Sequence, residues 1–98
     1  MKEDLKSIIN WYGLEHQQRK LEEEVFELQE AIFDMQYTYT YDSQSFLRYH
    51  IAEELADTTV MLKQIQYFYG IEDKDVENIM LEKVQRQLDR IKKEQEGK

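Results

Sequence analysis

Glu23-Glu24-Val25-Phe26-Glu27 returns thirty positions later as Glu53-Glu54-Leu55-Ala56-Asp57, with the acids at matching places. Each residue of an α-helix turns by about 100°, so the apolar residues around each copy can be tested for a stripe. Around the first they are Leu21, Val25, Leu28, Ile32 and Met35, and around the second Ile51, Leu55, Thr58, Leu62, Ile65 and Tyr69. Both sets recur at helical spacing, which predicts two amphipathic helices. Relative to the stripes, Glu24 and Glu27 sit roughly 60° and 120° round one flank, and Glu54 and Asp57 sit at about the same angles on the same-handed flank.

A short connection makes such neighbours antiparallel, and in an antiparallel pair same-handed flanks come to one side of the seam. Helix 2 is expected over 14–36 and helix 3 over 45–69. Glu24 and Glu27 then stand about as far back from the connection as Glu54 and Asp57 stand forward. Four carboxylates converge at one height, where they repel unless a hard divalent cation lies among them. The bland reading makes these acids the solvated face of a Glu-rich chain. It suits helix 4, where Glu82 has Arg86 at i+4 and Asp89 has Lys92 and Lys93 nearby. It suits helix 3 less well, because Glu53, Glu54 and Asp57 have only His50 as a local counter-charge.

Glu24-x-x-Glu27, a gap of 26 residues and Glu54-x-x-Asp57 resemble the signature of the MazG-like all-α nucleoside triphosphate pyrophosphohydrolases. That group is related to dimeric dUTPases and phosphoribosyl-ATP pyrophosphatase. Gln17 and Lys20 before the first acids and Lys83-x-x-Arg86 on the last helix extend the resemblance over roughly Trp11 to Arg90. The chain departs from the pattern at Val84, where many relatives carry an Asn beside the helix 4 lysine.

The resemblance implies a Mg²⁺-dependent hydrolase, with Mn²⁺ as a substitute ion, that cuts a nucleoside triphosphate between the α and β phosphates. In that reading Glu24, Glu27, Glu54 and Asp57 hold the metal. Lys20 and Glu23 are the catalytic candidates, with Glu23 either the base or a residue that supports the ligands from behind. Gln17, Lys20, His50, Lys83 and Arg86 are the substrate contacts. His50 stands four residues before Glu54 as Lys20 stands four before Glu24. The non-enzymatic alternative is an acidic helical bundle that serves as an interaction module, with the acids as surface charge.

Ninety-eight residues suffice for one domain with one modest core, spanning 1–98. No cysteine is present, which excludes a disulfide framework and thiol chemistry. No apolar run approaches the ~20 residues of a membrane span, and Met1 to Lys6 lead into an amphipathic segment rather than a signal sequence, so a cytoplasmic protein with no membrane partner is expected. A net charge of −8 argues against a nucleic-acid surface, which requires a basic stripe.

Gly13 and Gly70 are expected to break the chain. Helix 1, over 2–12, offers Leu5, Ile8, Ile9 and Tyr12 to the core, and Trp11 is expected to cap it. Between helices 2 and 3 the run Tyr37-Thr38-Tyr39-Thr40-Tyr41-Asp42-Ser43-Gln44 predicts a loop or short strand, with Asp42 or Ser43 as the N-cap. Helix 4, over 74–93, is expected to bury Val76, Ile79, Met80, Val84, Leu88 and Ile91. The fold class is therefore all-α, an antiparallel four-helix bundle with one short and three longer helices. The apolar helix 3 predicts a homodimer or homotetramer built through that helix and the tyrosine-rich connection.

Overall fold

The two expected helix breaks are the only positive-φ positions among the described residues: Gly13 at 90° and Gly70 at 69°, where a side chain would strain the backbone. The structure, a computed structural model, describes residues 1–37 and 41–97, with the side chains of 41–43 not described. It contains four helices and no strand among those residues: α1 (Lys2–Tyr12), α2 (Leu14–Gln36), α3 (Tyr41–Phe68) and α4 (Asp73–Glu96). The all-α class and the bounds of α1 and α2 agree with the sequence reading. Helix α3 starts four residues earlier than expected, so Asp42 and Ser43 lie inside it rather than capping it. The expected loop or strand at residues 38–40 lies outside the described residues.

Residues Gln17 and Gln64 pair across α2 and α3, as do Glu24 and Thr58. Seven residues forward on α2 thus match six back on α3, which makes the helices antiparallel. The face that α2 turns to α3 carries Gln17, Glu24 and Ala31, all buried, with Leu21, Leu28 and Met35 beside them. On α3 the facing residues are Glu54, Thr58, Met61 and Gln64. The seam is therefore turned away from the stripes expected from sequence. Val25, Ile32, Leu55 and Leu62, assigned to the core by periodicity, are exposed, and so is Tyr69.

On their own helices Val25 and Ile32 lie about 60–80° to one side of the seam, and Leu55 and Leu62 lie at similar angles with the same hand. Antiparallel packing brings these four to one side of the hairpin. Helix α1 covers the other side, packing on α3 and α2 with Leu5 and Ile9 buried. Trp11 does not cap the core: it is 84% exposed.

Helix α4 corrects a further expectation. Beyond its first turn it packs on none of the other helices, and no residue of it is buried. The cause lies at the α3–α4 junction. Gly70 closes α3 with paired bonds, Gly70 N–H to the Tyr67 carbonyl at 3.0 Å and Ile71 N–H to the Gln66 carbonyl at 3.1 Å, the arrangement that a left-handed residue after a helix permits. Asp73 then accepts hydrogen bonds from Lys63 Nζ at 2.8 Å, Gln66 Nε2 at 2.8 Å and Tyr67 OH at 2.9 Å. These ties fix the direction in which α4 leaves the body. The radius of gyration is 17.5 Å, against about 13 Å for a compact chain of this length.

Candidate metal centre

Three of the four predicted ligands come together. Glu24 and Glu27 from α2 and Glu54 from α3 each place an oxygen within 4.8 Å of the others. They meet because the seam rotates Glu24 and Glu54 inward: these residues are 8% and 7% exposed, respectively. Each has an Oε2 atom that is buried and without a hydrogen-bond partner. A buried carboxylate oxygen with no donor is costly, and a cation removes that cost.

The electrostatics follow from the geometry. Burial pushes the Glu24 carboxyl above its ordinary pKa; the charges of Glu27, Asp57 and Glu54 push the same way and Lys20 opposes them. Burial likewise raises Glu54, with Glu27 and Asp57 adding to it and His50 opposing. Asp57 is exposed and stands outside the trio, yet its charge acts on both buried acids. Thr58 holds the seam closed by donating from its hydroxyl to the Glu24 backbone carbonyl at 3.5 Å.

Lys20, one turn before Glu24, lies 3.4 Å from Glu23 and 3.8 Å from Glu24. The Glu23 hydrogen bond holds the Lys20 ammonium above its ordinary pKa, and Glu23, Glu24 and Glu27 add to this. Lys20 and Glu23 also line a cavity of about 620 Å³ beside the trio, with Ile8, Tyr12, His16 and Gln17 around it and Met61 and Gln64 at its α3 wall. That volume is in the ordinary range for a small-molecule site. Tyr12 and His16 stack at its wall, with centroids 4.8 Å apart and planes inclined by 15°.

Gln17, expected as a substrate contact, is buried in the α2–α3 seam, with a partner there that the sequence reading did not include. Gln17 Nε2 donates to Gln64 Oε1 at 2.8 Å, Gln17 Oε1 pairs with His16 Nδ1 at 2.7 Å, and Gln64 is almost wholly buried. The signal was present: Gln64 lies seven residues beyond Asp57 on the same flank of α3. His50 is half-buried and reaches Glu54 through its charge alone. Lys83 and Arg86 are not brought to this site, because the helix that carries them stands away from the body. Comparison of the chain with protein-family models, curated proteins and solved structures gives no match.

Proposed function

We infer that this chain is a Mg²⁺-dependent hydrolase of nucleoside triphosphates, releasing a monophosphate and pyrophosphate. The observation that carries the reading is the pair of buried, unpartnered Oε2 atoms of Glu24 and Glu54, two members of the carboxylate trio. A solvated acid face would leave those oxygens in water. Glu24, Glu27 and Glu54 would hold the ion, with Asp57 completing its surroundings from the rim. When bound, Mg²⁺ supplies positive charge that neutralises phosphate oxygens and eases the attack of water on phosphorus.

The chain's own residues supply the rest. Lys20, on the boundary between the trio and the cavity, neutralises charge that develops as the bridging P–O bond breaks and pyrophosphate departs with the bonding pair. Glu23, exposed on the same rim and tied to Lys20, takes the proton of the attacking water. Gln17 and Gln64 position the remainder of the nucleotide, and the Tyr12–His16 stack offers an aromatic face. His50 tunes Glu54 through its charge. Lys83 and Arg86 stand away from this cavity on α4 and take no part in the step. No helix among the described residues is long and apolar enough to cross a membrane, and we place the protein in the cytoplasm, where triphosphates are made and used.

Incubation with a panel of nucleoside triphosphates and Mg²⁺, followed by assay of pyrophosphate, is the test. Release from at least one substrate, abolished by chelator, is expected. No release from any of them by a folded protein overturns the reading.

A further inference from the structure

Two apolar surfaces are left bare. One is the side of the α2–α3 hairpin opposite α1, carrying Val25, Ile32, Leu55 and Leu62; the other is the stripe of α4, with Met80, Val84, Leu88 and Ile91 about half exposed. Within one chain they stay apart, because the Asp73 ties and the short Gly70–Glu72 link send α4 outward.

We propose that α4 of each chain lies on the bare α2–α3 face of a second copy, and that the exchange is reciprocal, giving a two-fold dimer. A hairpin-to-hairpin dimer would cover one surface and leave α4 naked. The α4 exchange covers both.

Charge is compatible with the same occupant. Over 83–93, α4 carries five bases against Asp89, a net of +4, and on α2 Glu22 lies on the flank beyond Val25, away from α1. Lys83, Arg86 and Arg90 form no ion pair among the described residues, so these cations are free to meet a partner's acids. Area agrees as well. Helix α4 has 24 residues. A helix of that length is about 36 Å long, and a strip about 10 Å wide on each of the four contacting surfaces removes about 1,400 Å² from water, the size of a stable interface. The inference rests on packing and charge and holds whether or not the chain hydrolyses triphosphates.

Light scattering of the full chain is expected to give twice the 12.0 kDa of one chain, and a monomeric mass overturns the proposal. Val84→Glu with Leu88→Glu, on α4, is expected to give a monomer, as is Leu62→Glu on the opposite surface, with helicity retained by circular dichroism. A dimer that survives the α4 pair but not Leu62→Glu means that hairpins meet face to face, which also overturns it. Since the chain has no cysteine, a milder series guards against misfolding. Leu62→Cys chains are mixed with Val84→Cys, Leu88→Cys or Ile91→Cys chains and treated with a short bismaleimide. At least one mixture is expected to cross-link between the two kinds of chain. If none does, α4 does not lie on that face.

Discussion

Glu24 on α2 and Glu54 on α3 bury their carboxylates in one seam, each with an Oε2 that meets no donor, beside Glu27, which places an oxygen within 4.8 Å of both. Without a cation this arrangement opposes folding. Glu54→Gln removes one buried charge and gives Glu27 an amide donor, so in chelator the variant is expected to melt a few degrees above wild type. With Mg²⁺ the order reverses. A native-state ligand at a hundredfold its dissociation constant adds about 2.7 kcal/mol, and the variant gains little of it. Paired melting curves check this, and a wild type indifferent to Mg²⁺ removes the ion from the site.

Asp57 poses a sharper question, because it is exposed and outside the trio while its charge raises both buried acids. In chelator, Asp57→Asn is expected to be as stable as wild type or more so. A surface acid held by a salt bridge would instead lose up to about 1 kcal/mol. Hydrolysis is expected to fall by ~100-fold or more, through a displaced ion and weaker charge stabilisation. Melting curves and pyrophosphate release on the same preparation separate the two roles. A variant that melts lower in chelator and gains as much from Mg²⁺ as wild type excludes Asp57.

The Gln17–Gln64 pair is expected to be worth more as a pair than as two residues. Gln17→Leu leaves the buried Gln64 carbonyl without its donor, at a cost of about 1–3 kcal/mol. Adding Gln64→Leu removes the stranded group, so the double variant is expected to lose less than the two single losses together. Urea unfolding of the four proteins measures the coupling. Additive losses would mean that the hydrogen bond contributes nothing of its own.

These residues also mark how far the sequence could be read. Periodicity located α1 and α2 and the acidic repeat, since each depends on local spacing. It placed Val25, Ile32, Leu55 and Leu62 in the core beside Thr58, where the structure keeps Thr58 and adds Glu24, Ala31 and Glu54 in their place. A moment calculated around one helix finds its most apolar side but does not say which neighbour covers it. Here the more polar side makes the intrachain seam. The same limit misjudged α4: its stripe is real, yet whether it is buried depends on the direction set at Asp73, a contact ten residues from Lys63 in the sequence that no periodicity encodes.

Asp73 itself yields the last prediction. Hydrogen bonds from Lys63, Gln66 and Tyr67 lower its pKa from 3.8 to about 2, and the same Asp73 contacts raise Lys63 and Tyr67 above their ordinary values. Lys2 over the Tyr67 ring at 5.2 Å and Glu77, whose charge acts on Lys63, are the other charged neighbours. A depressed carboxyl stabilises the junction fully above pH 3.8 and loses that contribution as pH falls towards about 2. For Tyr67 and Lys63 the sign is opposite: their contribution is full below their ordinary pKa values and is lost as pH rises through the raised ones. Amide hydrogens of Gly70 to Val76 are therefore expected to be best protected between these limits. Asp73→Asn, which removes the charge at every pH, is expected to speed their exchange at neutral pH and to flatten the acid limb of the profile. Hydrogen exchange across residues 66–76, corrected for intrinsic rates, makes the measurement. Equal protection in the variant and wild type at neutral pH would show that Asp73 does not set the direction of α4.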